Sequence, residues 1–141
     1  MASIQEEIDV KVASETVWDA VREVGAIHTR LAPGVVVGTE ILPGVEPVTR
    51  RVTFSHGAVV DEVIVDIDEA RRRLAWTIQG GTVRHHNGVM QVFASADGGS
   101  RVVWTADFLP DGLAQPFGAS MARAMAAMKS HLERQAASDA R

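Results

Sequence analysis

Two carboxylates stand side by side at Asp61 and Glu62, and two histidines at His85 and His86. Neighbouring side chains of an extended strand point to opposite faces, so only one member of each doublet can reach an interior. Two titratable groups sharing one apolar cavity have their pKa values driven apart, which is how an acid/base pair is made. The alternation of Val59, Asp61, Val63, Val65 and Ile67 against Val60, Glu62, Ile64 and Asp66 favours Asp61 as the inward carboxylate, and a bulge would exchange the two. Asp107 is a third candidate; its alternation with Val103, Thr105 and Leu109 points it outward. An inward histidine, with an unperturbed pKa of about 6.5, suits either proton transfer or holding the polar end of a ligand. Adjacent strand histidines cannot share an ion, so no metal site is expected.

A second lead is a stripe of methionines. Phe117, Met121, Met125, Met128 and Leu132 recur at helical spacing, with Arg123, Lys129, Ser130, Glu133 and Arg134 turned away. Met90 lies on a strand that can face them. Unbranched thioether side chains adapt to irregular volumes and to varied apolar ligands; the plain alternative is that they fill gaps in a solid core. Other polar residues read as structure. His28, His56 and His131 fall in a loop, a turn and a helix flank, and Arg71-Arg72-Arg73 is a solvated hairpin. Gly80-Gly81 has no Lys-Ser/Thr after it to form a phosphate cradle, and no G-x-S-x-G occurs.

Composition narrows the classes further. The chain has 141 residues, 46% hydrophobic and 23% charged, which suits one globular domain over 1–141. Fourteen basic against eighteen acidic side chains leave a net charge of −4, so no basic field awaits nucleic acid. Without cysteine there are no disulfides, thiolate nucleophiles or cysteine-held metals. Gln5, Glu6, Glu7 and Asp9 interrupt the start where a cleavable signal would be apolar, and no apolar run nears the roughly 18 residues of a membrane span. A cytoplasmic location without integral membrane association is expected. Four Phe, three Trp and no Tyr are few rigid fillers for a core of this size.

These residues need elements to hold them. Ile4, Glu6, Ile8, Val10 and Val12 alternate with polar neighbours as a half-buried strand. Ser14 can cap a helix whose stripe is Val17, Trp18, Val21 and Val24, ending at Gly25, and a short second helix covers 26–31. Six further strands follow, over 35–42, 48–55, 58–67, 72–79, 82–96 and 100–109, joined by turn-forming stretches short enough for hairpins. Beyond Pro110-Asp111-Gly112 the pattern is helical, with Pro116 in the first turn and a frayed tail over 138–141. The fold class is therefore α+β, a curved seven-stranded antiparallel sheet wrapped around a long C-terminal helix, with two short helices after the first strand.

Several stretches resemble the START-like, helix-grip superfamily (SRPBCC), in particular its polyketide cyclase/dehydrase and lipid-transport group. They are the opening strand followed by Ser14-Glu15-Thr16-Val17-Trp18-Asp19, the run from Gly57 to Val63, Ile67-Asp68, the Trp76 strand, Val102-Val103-Trp104-Thr105 and the terminal helix, covering nearly the whole chain. Many members carry an aromatic, His and Pro after the second helix; here the residues are Ile27-His28-Thr29-Arg30. The resemblance implies a hydrophobic cavity between sheet and helix. It also implies, against the alternation, that Glu62 is the inward carboxylate, through its spacing to Asp68. The expected ligand is a small apolar or amphipathic molecule, a lipid, isoprenoid or polyketide-like compound, contacting Trp76, Met90, Phe117, Met121, Met125 and Met128, with Glu62 and His85 orienting its polar end. No cofactor is called for, and a homodimer is compatible with the chain. Binding without turnover is preferred. The alternatives are a metal-free cyclase or dehydratase in which Glu62, His85 or Asp107 moves a proton beside a carbonyl, and a protein–protein module of the chaperone-activator or ribosome-associated kind.

Overall fold

The computed structural model of the chain describes residues 2–140. Strand β1 (Ala2–Val10) leads to helix α1 (Ser14–Arg22) and a π-helical turn (Ile27–Leu31). Then come β2 (Val36–Ile41), β3 (Thr49–Phe54), β4 (Val59–Asp68), β5 (Arg73–Gln79), β6 (His85–Ala94) and β7 (Ser100–Leu109). A single 3₁₀ turn (Asp111–Leu113) opens the long helix α2 (Ala114–Asp139). The seven strands form one antiparallel sheet in the order β1-β7-β6-β5-β4-β3-β2. Every connection from β2 to β7 is a hairpin, as the turn residues require, and the first strand closes against the last. This is the helix-grip arrangement.

Local details depart from the sequence pattern in several places, among them the end of α1 at Arg22 rather than Gly25. Ser14 does not cap α1; Ala13 holds that position, and the Ser14 hydroxyl instead accepts a hydrogen bond from Arg72. The short second helix is wound as a π turn, tied to α1 by Arg30, which bonds Asp19 Oδ2 at 2.8 Å and also Glu23. Strand β6 begins at His85 rather than Thr82. Ser138 and Asp139 still belong to α2, while Arg141 lies outside the described residues.

Strand β4 carries the departure that matters most. Glu62 lies opposite Ile78 and Ile64 opposite Trp76, after which the register shifts so that Asp66 meets Ala75 and Ile67 meets Leu74. Val65 is the extra residue of a β-bulge, and inward parity changes there from even to odd numbers. The apolar run Val63, Val65, Ile67 therefore does not share one face, and the alternation that favoured Asp61 is broken from within.

Apolar packing under α2 is divided. Val17 and Val21 of α1 join Leu74, Trp76, Met90, Val102, Met125, Met128 and Leu132 in the largest cluster. Ala32, Val36 and Val52 form a second, and Ala106, Phe108 and Met121 a third. Globular domains usually have one contiguous core with smaller satellite clusters. Here the two satellites meet the main cluster along a seam beneath the helix, with Ile27 and Trp104 packed across it.

Candidate functional site

The seam contains two adjacent chambers. The inner one, about 60 Å³, lies among the π turn, β2, β3 and the middle of α2, against Leu31, Val52, Met90, Met125 and Met128. The outer one, about 200 Å³, lies between Ile78, His86 and Ala106 of the sheet and Phe117, Ser120 and Met121 of α2. Phe54, Glu62, Trp76 and Trp104 line both chambers and form the wall they share. His56, Ala58 and Pro116, all exposed, mark the mouth at the β3–β4 turn and the start of α2.

Arg50 and Glu62 form the polar centre. They are directly opposed on β3 and β4, and Arg50 Nε donates to Glu62 Oε1 at 2.7 Å with both side chains buried. The guanidinium is held from two more sides, by the Val24 carbonyl at 3.4 Å and by the Trp76 ring, whose centroid is 5.4 Å from Cζ. Its place over the indole face adds a cation–π attraction. Glu62 Oε2 has no partner among the described residues. Asp61, one residue before, points the other way and pairs with Arg51 at 2.8 Å on the outer surface. Arg51 holds the Asp61 carboxyl below its ordinary value.

His86, not His85, turns inward. It is 6% exposed, whereas its neighbour is open to solvent. The ladder between β5 and β6 ends at Trp76 opposite Gly88, and the imidazole takes over from it: Nδ1 accepts from the Ile78 backbone N–H at 3.2 Å, while the His86 carbonyl accepts from Thr77 Oγ1 at 2.6 Å. Burial pushes the His86 pKa down to about 4, with His85 adding to the shift and Asp107 opposing it. The ring is neutral at pH 7. With Nδ1 accepting, its proton sits on Nε2, which has no partner among the described residues. Phe117 meets it edge-on, with centroids 6.1 Å apart.

The floor is aromatic. Trp76 and Trp104 lie 5.8 Å apart at 49°, and Phe108 and Phe117 4.7 Å apart. Trp76 can lie across β6 because position 88 is glycine; a Cβ there would come within 2.8 Å of the indole. Gly88→Ala is accordingly expected to cost at least about 1 kcal/mol through overpacking. The readout is a lower denaturant midpoint at unchanged slope; a wild-type midpoint would contradict this seating of Trp76. Trp104 Nε1 is covered and has no acceptor among the described residues.

Set against the sequence expectations, Glu62, Trp76, Met90, Phe117, Met121, Met125 and Met128 all line one chamber or both. His85 does not reach them. Asp107 sits on the outer face, beside Asn87 in the ladder and accepting from the Ser3 hydroxyl. Arg50, Phe54 and Trp104 line the chambers without having been singled out as such, and His86, the other half of the doublet, takes the place expected of His85. Among the described residues no group of three His, Cys, Asp or Glu could hold a metal, and no helix is long and apolar enough to cross a membrane.

Residues 1–138 match the family described as polyketide cyclase / dehydrase and lipid transport. The chain belongs to this family. No curated protein matches it. Solved structures with the polyketide cyclase/dehydrase family's fold include XoxI from Bacillus cereus, with a TM-score of 0.83 and 16% identity, covering 96% of this chain and 99% of that one. The di-domain ARO/CYC BexL of the BE-7585A biosynthetic pathway gives 0.79 at 17% identity, over 94% of this chain and 47% of that one. Norcoclaurine synthase from Thalictrum flavum, in complex with dopamine and hydroxybenzaldehyde, gives 0.73 at 18% identity over 97% and 87%. At these identities the likeness is one of fold, and family and fold together indicate a hydrophobic ligand-binding scaffold.

Proposed function

We propose that this protein binds a compact apolar or amphipathic molecule in the cavity beneath α2. The observation that carries the reading is the outer chamber, about 200 Å³ and almost wholly apolar, with a few polar groups on one wall. An apolar cavity of about 150 Å³ is enough to take up benzene. The volume therefore suits a one- or two-ring compound, polyketide-like or isoprenoid, better than a long acyl chain. Burial supplies the affinity, and the thioethers of Met121 and Met125 adapt to its outline.

Thermal unfolding with a panel of one- and two-ring compounds tests this. A ligand at a hundred times its Kd should stabilise the fold by about 2.7 kcal/mol. Met121→Trp, which fills the outer chamber, should remove that stabilisation while leaving a cooperative transition. No stabilisation by any compound, or an unchanged response in the filled variant, would refute the reading.

A second reading, turnover of the cyclase or dehydratase kind, draws on one observation: Glu62 and His86 are two titratable groups on the same chamber. A carboxylate that accepts a proton beside a carbonyl and a neutral imidazole that polarises its oxygen are the parts such a reaction uses. Product formation from a poly-β-ketone analogue, lost in His86→Leu, would favour it.

A further inference from the structure

Three polar side chains of the cavity, Arg50, Glu62 and His86, lie in one row across the sheet. Arg50 on β3 is opposite Glu62 on β4, Glu62 is opposite Ile78 on β5, and His86 on β6 is opposite Phe108 on β7. Continuing the β5–β6 register two residues past Trp76 and Gly88 sets Ile78 opposite His86, where the Ile78 N–H meets Nδ1. One strand, β5, separates Glu62 from His86, so two strand spacings or roughly 10 Å lie between their backbones. The side chain between them is the apolar Ile78, which also lines the outer chamber.

Each end of the row offers one unused hydrogen-bonding function of opposite kind. Glu62 keeps an acceptor, Oε2, after Oε1 is taken by Arg50. His86 keeps a donor, the Nε2 proton, because Nδ1 is committed to the Ile78 N–H. Charge is balanced: Arg50 and Glu62 cancel, and the imidazole is neutral. A buried carboxylate or phosphate on the ligand would meet the Glu62 anion, and a buried ammonium would compete with Arg50 for it. Neither ionic class fits.

Resting on the cavity-binding reading above, we propose that the ligand is an uncharged ring compound bearing a carbonyl oxygen and a hydroxyl. The carbonyl accepts from His86 Nε2, the hydroxyl donates to Glu62, and the ring system spans Ile78. The row thus acts as a two-point gauge that selects oxygenated rings over plain hydrocarbons of the same size.

Matched naphthalenes test it at pH 7 by titration calorimetry: a hydroxynaphthyl methyl ketone, the ketone without hydroxyl, naphthol without ketone, and methylnaphthalene. A hydrogen bond to a charged group contributes more than one between neutral groups. Removing the hydroxyl should thus weaken binding about 10- to 100-fold, and removing the carbonyl about 3- to 10-fold. In His86→Leu the carbonyl preference should vanish and the hydroxyl preference remain. Because Glu62 alone is hard to remove from a folded chain, Arg50→Met/Glu62→Leu serves for the other end, and there the pattern should invert. Equal binding of all four compounds, or preferences that survive both variants, would overturn the proposal while leaving the cavity reading intact. Failure of every compound, methylnaphthalene included, would overturn the cavity reading with it.

Discussion

Glu62→Leu alone is expected to destabilise the protein by about 3 to 5 kcal/mol, because it leaves the Arg50 guanidinium buried without its anion. Arg50→Met/Glu62→Leu together should recover most or all of that loss. Two buried charges bring a desolvation penalty comparable to their attraction, and apolar replacements of similar volume are often neutral or stabilising. The neighbouring pair is an internal control. Arg51 and Asp61 form the next pair along the same ladder but on the outer face, with side chains 46% and 32% exposed. Asp61→Ala should cost no more than about 1 kcal/mol. Denaturant unfolding of the four proteins decides the matter: a Glu62→Leu cost near that of Asp61→Ala would mean that the inner pair is solvated, against its burial.

His86 should dominate the acid limb of stability. Its folded pKa of about 4 lies below the ordinary 6.5, so between these values the unfolded chain binds a proton that the folded chain refuses. Stability from this source is complete above pH 6.5 and falls as the pH drops towards 4. The loss amounts to about 2 kcal/mol at pH 5 and about 3 kcal/mol in full. His86→Leu starts less stable at pH 7, since the Ile78 N–H loses its acceptor, but its stability should change little between pH 7 and pH 5. The carboxylates that Arg22, Arg30 and Arg51 hold below their ordinary values act at lower pH and remain in both proteins. Parallel pH profiles for variant and wild type would show that the imidazole is freely hydrated.

Much of this site is legible in the chain once the hairpin is used as a ruler. The turn at Ser55-His56-Gly57 centres the β3–β4 pair on His56, which sets Arg50 against Glu62 and Arg51 against Asp61 by symmetry. Two basic residues facing two acidic ones across a turn are a readable signal, and Arg50 is the partner that strand alternation taken one strand at a time overlooks. Choosing which pair faces inward is harder. The bulge at Val65 changes parity midway through β4, so the longer alternation points to the wrong carboxylate, and only the resemblance favours Glu62. For the histidines the information lies elsewhere again. His85 and His86 are chemically identical in sequence; what separates them is the register with Phe108 and the end of the β5–β6 ladder, both long-range facts. Met121, Met125 and Met128 were readable because helix α2 has the regular 3.6-residue period that β4 lacks.

The division of the apolar interior into three clusters bears on cooperativity. On the binding reading proposed above, a ring seated against Trp76, Trp104, Met121 and Phe54 would touch the edges of all three and add to the few contacts, through Ile27 and Trp104, that join them. Such a ligand would serve as a missing core side chain. In its absence the start of α2, which rests on the small cluster of Ala106, Phe108 and Met121, is expected to open most readily by local fluctuation, with amide exchange there faster than around Met128 and Leu132. If the proposed ligand binds there, occupancy of the seam would join the two halves of the helix into one cooperative unit, so that recognition and completion of the fold would be a single event.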